Sequence, residues 1–169
     1  AGIAGLQLDK EQVFGAVERL HERVEGSYAS IALIAGYGLL AFRDPYGIRP
    51  LVLGRRTGSN GSDEWVVASE SLVLESGGYE IVRDVDPGEA ILISPDGTME
   101  SRQCAKSHRL VPCAFEYIYL ARPDSVLSGI SVYDARLRLG DVLAEQIRTE
   151  LPDVNIDVVM PIPDSARPS

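Results

Sequence analysis

Residues 112–125 read PCAFEYIYLARPDS. A thiol (Cys113), a carboxylate (Glu116), two phenols and an Arg122-Pro123-Asp124-Ser125 turn sit in an otherwise apolar run, which reads as a tyrosine-rich strand closed by a charged turn. A thiolate at Cys113 would be a metal ligand or a nucleophile. The second cysteine, Cys104, is too distant for a Cys-x-x-Cys clamp, and two thiols cannot supply the four that an iron–sulfur site takes. Each cysteine taken alone reads as a small buried hydrophobe. His21 lies beside the apolar face of a helix and His108 in a polar loop. Neither has a Ser or Cys nucleophile placed near it by spacing, so solvated or capping roles are expected of both. The zinc motif HExxH, the phosphate loop GxxxxGK[ST] and the nucleophile elbow GxSxG are missing, and Gly36-Tyr37-Gly38 is not a dinucleotide fingerprint.

Three further stretches carry polar chemistry. FRDPYGIRPL, residues 42–51, sets Arg43 and Arg49 around a Pro–Gly turn. Two readings stay open for it: an arginine network fixing a site-forming loop, or a hairpin whose arginines pair with Asp44 or with chain carbonyls. In ASES, residues 68–71, Ser69 or Ser71 is placed to cap a short helix. PIPDS, residues 161–165, comes after a strand, where open α/β sheets bind ligands. There Asp164 and Ser165 offer a carboxylate and a hydroxyl to a phosphate or to Mg²⁺, with a simple turn as the alternative.

Periodicity supplies the scaffold for these groups. Residues 9–25 predict a helix, with Asp9 and Gln12 as a capping box, Val13, Val17, Leu20 and Val24 on one face, and Gly26 at its end. Residues 27–35 predict a strand covered on both faces. Strands are expected at 39–43, 51–54, 64–69, 79–82, 90–94 and 98–103, with a polar loop at 57–63 and a short helix at 70–76, punctuated by Gly, Pro and Asp turns. A second helix is expected over 131–151, capped by Ser131 with Asp134. Its apolar face is Val132, Ala135, Leu139, Val142, Leu143 and Ile147, and Pro152 stops it. Residues 157–160 predict a further strand. Short strands with tight turns and helices at both ends imply an α+β layer structure with an antiparallel sheet.

Composition bounds the function. The 169 residues carry 16 basic and 25 acidic side chains, a formal charge of −9, so a partner with a phosphate backbone is not expected. The longest apolar run, 28–42, is broken by Gly36 and Gly38 and is too short to span a membrane as a helix. No basic-then-apolar leader is visible, so a cytoplasmic protein with reduced thiols is expected. The sequence opens on Ala1 and closes on a strand with no partner, which reads as a piece of a longer protein.

DPYGIRPL followed by ASES resembles the class II glutamine amidotransferases, whose glutaminase domain has the N-terminal-nucleophile hydrolase fold, an αββα sandwich. RDVDPGEA, QCA, PCAFEYIYLARPDS, SVYDARLRLG and PIPDS, in that order from about Glu11 onward, resemble the amidophosphoribosyltransferase family of purine synthesis. The resemblance implies part of a glutaminase domain over 1–125, then a linker helix and the start of a phosphoribosyltransferase domain over 126–169. It implies glutamine, phosphoribosylpyrophosphate and purine nucleotide inhibitors as ligands of the whole enzyme, Mg²⁺ as cofactor, and a homo-oligomer. Cys113 matches a ligand of the 4Fe–4S cluster that some members carry. Tyr119 falls in the segment coupling the two active sites, with Arg122 and Asp124 shaping its turn. Ser165 matches a hydroxyl at the Mg²⁺ site. The family's N-terminal cysteine nucleophile and diphosphate loop have no counterpart here, so no catalytic residue is assigned and the chain alone is expected to be inactive. The alternatives are a non-catalytic nucleotide- or partner-binding module and, more remotely, an asparagine synthetase.

Overall fold

The computed structural model describes residues 8–59, 61–162 and 166–167. Helix α1, Lys10–Arg23, starts where expected: the Asp9 carboxylate accepts from the Glu11 N–H at 3.0 Å, and the Asp9 N–H donates to Gln12 Oε1 at 3.2 Å. This reciprocal box satisfies amides that the first helical turn leaves without partners. Its buried face is Val13, Phe14 and Val17. Val24, expected on that face, caps the helix and is exposed.

Two antiparallel sheets are built next. Strands β1 (Ala29–Ile34), β2 (Gly38–Arg43), β6 (Glu89–Ile93) and β7 (Met99–Gln103) form the first, in the order β1-β2-β6-β7. Strands β3 (Val52–Thr57), β4 (Asp63–Ala68) and β5 (Glu80–Asp84) form the second, in the order β4-β3-β5. The period-2 alternation of β2 and β6 divides their side chains between two cores. Leu40, Phe42, Ala90 and Leu92 pack on α1 with Phe14 and Cys104. Ala41 and Ile91 face Leu53 and Val67 of the second sheet, with Leu51 and Val85, which flank its strands. The six-residue α2 (Ser71–Ser76) covers the outer face of that sheet. Its Leu74 is fully buried, and a Cβ added at Gly54 would meet Leu74 Cδ2 at 2.5 Å, so only glycine admits this approach. The layer order is therefore helix, sheet, sheet, helix.

Three expectations are corrected in this unit. Strand β1 is an edge strand, not one covered on both faces. Leu33 is 82% exposed, because the three-stranded second sheet does not extend over it. The polar loop expected at 57–63 loses both its ends: Thr57 and Asp63 pair as strand residues beside Arg56 and Glu64, whose ion pair at 2.7 Å ties this end of the hairpin. The cap of α2 is Glu70, which makes no side-chain capping bond, so neither serine of ASES caps the helix.

The chain divides into two compact units, Ala1–Pro112 and Cys113–Ser169. In the second, residues 116–120 form a single π-helical turn and not a strand. Strands β8 (Val126–Leu127) and β9 (Ile130–Ser131) make a two-residue hairpin, with Ser128 and Gly129 both at positive φ, as a type I′ turn requires. Ser131 Oγ then accepts from the Asp134 N–H at 3.2 Å and starts α3, Val132–Glu150. The apolar face expected of α3 is largely exposed. Its buried residues are Val132 and Arg136, which close on Ala121, Leu127 and Tyr117. Residues 157–160 form no strand ladder among the described residues, and Val159 is 83% exposed. An extended segment without a neighbour has nothing to pair its amides with.

Candidate functional site

In the first unit the polar centre is the loop after β2. Arg43 is 2% exposed, and its guanidinium donates to three chain carbonyls: Arg49 from Nε at 2.7 Å, Val85 from Nη1 at 2.7 Å and Gly47 from Nη2 at 2.8 Å. The fixed fork of the guanidinium suits three acceptors arranged around it. The buried Asp44 carboxylate collects the complementary donors, the N–H groups of Tyr46 at 2.9 Å, Ile48 at 3.1 Å and Arg49 at 3.1 Å. Gly47, at φ +56°, closes the turn with its N–H on the Asp44 carbonyl. Of the two readings left open by the sequence, the pairing of Arg43 with chain carbonyls is the one observed, but the loop closes no hairpin, because the strands it joins, β2 and β3, lie in different sheets. Arg43 also joins the 44–49 loop to the start of the 85–88 turn. There Glu89 is buried and accepts from Arg83 in two bonds, at 2.6 and 2.7 Å, and from the Asp86 N–H at 2.8 Å. Burial pushes the Glu89 carboxyl up, but these donors outweigh it and hold the group below the usual carboxylate range.

His21 and Cys104 both line a cavity of about 520 Å³ between α1 and the segment after β7, together with Glu18, Glu22 and Lys106. A Cys–His catalytic pair is not built there. Burial pushes the Cys104 thiol up to about 11, and its sulfur lies 3.8 Å from the Phe14 carbonyl. A nucleophilic cysteine needs the opposite shift. His21 Nδ1 is 2.8 Å from the Tyr28 hydroxyl, and its ring packs against Tyr28 and Phe42. The ring is half-buried, and this burial lowers its pKa. His108 is exposed.

In the second unit, Cys113 is half-buried, and its carbonyl accepts the Glu116 N–H at 3.2 Å. Tyr119 points outward from the π-helical turn at 67% exposure. Arg122 and Asp124 form a bidentate surface pair at 3.1 and 3.1 Å, which holds the Asp124 carboxyl below its ordinary value. Between them, the Pro123 carbonyl accepts from the Tyr133 N–H. The structure thus brings Tyr119, Arg122 and Asp124 onto one short surface segment, with Cys113 at its start. Ser165 lies outside the described residues. Sequence reasoning missed Arg136, which is 3% exposed and donates to the carbonyls of Tyr117 at 2.8 Å and Ala121 at 2.9 Å. Its one signal was a charge next to the apolar face of a helix. Among the described residues, no group of three or more His, Cys, Asp or Glu side chains is gathered to hold a metal ion, and no helix is long and apolar enough to cross a membrane.

No family model matches the chain. Curated relatives do. The chain is 51% identical over 162 residues to the amidophosphoribosyltransferase of Pseudomonas aeruginosa and 48% identical over 159 residues to that of Escherichia coli. These alignments take in 96% and 94% of this chain, but only 32% of each relative, so the chain spans about a third of their length. Among solved structures it matches the Bacillus subtilis glutamine phosphoribosylpyrophosphate amidotransferase complexed with ADP and GMP. The TM-score is 0.76 at 32% identity, covering 98% of this chain and 33% of the other. The mixed α+β architecture with antiparallel sheets corresponds to that third.

Proposed function

From a chain homologous over nearly its whole length to one third of the amidophosphoribosyltransferases, we infer that it is the part of such an enzyme that links its two activities. The observation that carries this is the conjunction of about half identity with a fold matched over 98% of the chain. The helix–sheet–sheet–helix order of the first unit agrees with the N-terminal-nucleophile hydrolase sandwich. In this reading residues 1–125 belong to a glutaminase domain, and 126–169 are a linker helix and the opening of a phosphoribosyltransferase domain. The compact units divide earlier, at Pro112 and Cys113, so 113–125 is the segment on which the two divisions differ.

The proposed reaction of the longer protein has two steps. Water and a thiolate nucleophile, which this chain does not supply, convert glutamine to glutamate and ammonia. Ammonia then displaces pyrophosphate from C1 of phosphoribosylpyrophosphate, forming 5-phosphoribosylamine, the first committed product of purine nucleotide synthesis. An enclosed route between the sites keeps ammonia from being lost to water. Tyr119 and the Arg122–Asp124 turn are proposed to lie in the coupling segment along that route. Purine nucleotides are proposed as regulatory ligands, and a homo-oligomer as the assembly.

Mg²⁺, when bound, would neutralise the charge developing on the pyrophosphate leaving group. Ser165 is the residue proposed to contribute a hydroxyl to its shell. The residues of this chain do not by themselves fit a 4Fe–4S cluster. Four thiolates are needed, the chain has two cysteines, and Cys104 is buried with a raised thiol pKa. Cys113 would act as a cluster ligand only with three thiolates from elsewhere in the longer protein.

The test is pyrophosphate release by the full-length protein given glutamine, phosphoribosylpyrophosphate and Mg²⁺. Glutamine-dependent release is expected. Its absence, with a folded protein, would overturn the assignment. The 169-residue chain alone is expected to release no ammonia from glutamine.

A further inference from the structure

The π-helical turn at 116–120 shifts its hydrogen bonds by one residue, and a single side chain from α3 completes the pattern. In this register the Ala121 N–H donates to the carbonyl of Glu116, five residues back, at 2.9 Å. An α-helical register would have given that N–H to the Tyr117 carbonyl. The Tyr117 carbonyl must therefore take a donor from elsewhere, and so must that of Ala121, where the chain turns extended at ψ 152°. Arg136, on α3, donates from Nε to Tyr117 at 2.8 Å and from Nη2 to Ala121 at 2.9 Å. The rigid guanidinium fork makes the two bonds interdependent. A positive charge at the carbonyl end of a helical turn is also electrostatically favoured. The other end of Tyr117 is held as well, because its hydroxyl donates to the Leu127 carbonyl at 3.0 Å. Ala121, Leu127 and Val132 close around these groups.

Register decides where the outer side chains point. The π register lengthens the hydrogen-bonded ring by one residue, so a return to the α register turns the residues within and after it about the helix axis, by up to about 100°. Loss of the π register would swing Tyr119, now exposed, to a different side of the turn.

We propose that Arg136 is a positioning residue: by capping the Tyr117 and Ala121 carbonyls it holds the 116–120 turn in its π register, and so sets the direction of Tyr119 in the segment that couples the two activities. The role of Tyr119 rests on the reading under Proposed function. The role of Arg136 in holding the turn rests on its two carbonyl bonds.

The test uses the full-length enzyme and three rates: glutamate release from glutamine, pyrophosphate release with added ammonia, and pyrophosphate release with glutamine. Arg136→Gln is expected to lower the glutamine-dependent rate about tenfold while both partial activities stay within about twofold, since a small misplacement suffices for such a loss. Arg136→Lys, which keeps the charge and can reach one carbonyl, is expected to recover part of the coupling. If all three rates fall together with thermal stability, Arg136 is only structural and the proposal fails. Tyr119→Ala separates the two claims. Uncoupling in Tyr119→Ala but not in Arg136→Gln overturns the positioning role alone, while full coupling in both overturns the role of Tyr119 and the proposal with it. Should Arg136→Gln not fold, amide exchange at Ala121 in Arg136→Lys decides. Faster exchange with reduced coupling supports the proposal; unchanged exchange and coupling refute it.

Discussion

Arg43→Met is the substitution that most directly probes how the first unit is held. Methionine keeps much of the apolar stem and removes every donor. The carbonyls of Gly47, Arg49 and Val85 then lose bonds of 2.7–2.8 Å. Gly47 and Val85 are buried, so water cannot replace the guanidinium there without local opening, whereas Arg49 is half-buried and can be rehydrated. A buried acceptor left unsatisfied costs about 1–3 kcal/mol, and the two inaccessible ones set the scale at roughly 2–6 kcal/mol. We expect about 3–4 kcal/mol, because the 44–49 loop can relax once its anchor is gone. A global melting curve would mix the two units. The assay is therefore amide hydrogen exchange, read at the N–H groups of Gly47, Val85 and Gly88, which bond to Asp44, Leu51 and Asp44 carbonyls. A loss of about 3 kcal/mol corresponds to roughly a 150-fold fall in protection. Amides of α3, in the other unit, serve as the internal control. A fall of less than about fivefold at all three amides, near the roughly 1 kcal/mol typical of an arbitrary substitution, would refute the claim that Arg43 is the buried tie between the two loops.

The ionisable groups give two more expected outcomes. In the native protein, iodoacetamide at about pH 8 should label Cys113 and leave Cys104 unmodified until the protein is unfolded, as mass spectrometry of the digested protein would show. Cys104 is buried and its thiol pKa is about 11, so little thiolate is present to react; rapid labelling of Cys104 in the folded state would contradict that environment. Glu89 has its folded pKa depressed, so the stability it contributes is fully present above its unfolded value of about 4.3 and is lost as pH falls through the folded value. Amide protection at Val85 and Asp86, corrected for intrinsic exchange, should thus be flat from about pH 7 to about pH 5 and decline below that, and Glu89→Gln should show a shallower decline. An equal decline in both proteins would mean that another carboxylate governs acid opening.

The functional assignment draws on motifs that stand in the chain as short strings, and these survive because each encodes a local geometry. DPYG is a turn that any context would make, and the Asp44 carboxylate completes it with three neighbouring N–H groups. The capping pairs at Asp9–Gln12 and Ser131–Asp134 are equally local, and both helices begin where their caps stand. Strands β2 and β6 were legible for the same reason: a short apolar run bounded by turn residues is a property of the segment.

Local chemistry in the chain was thus enough for the inventory: two long helices with their starts, a set of short antiparallel strands with their turns, an acidic composition, and strings that resemble one enzyme family. Which surface each segment faces came from the folded arrangement. The apolar residues of β1 and α3 could not be assigned to a core from their period, because burial depends on whether another layer reaches them, and over Leu33 and Val142 none does among the described residues. The segment 116–120 is apolar and aromatic enough for a strand. It is a π turn because Arg136, distant in sequence, supplies donors to the carbonyls that this register turns away from its own amides. A local pattern fixes which hydrogen bonds a segment can make within itself. It cannot report the donors that a remote helix will bring to the bonds left over.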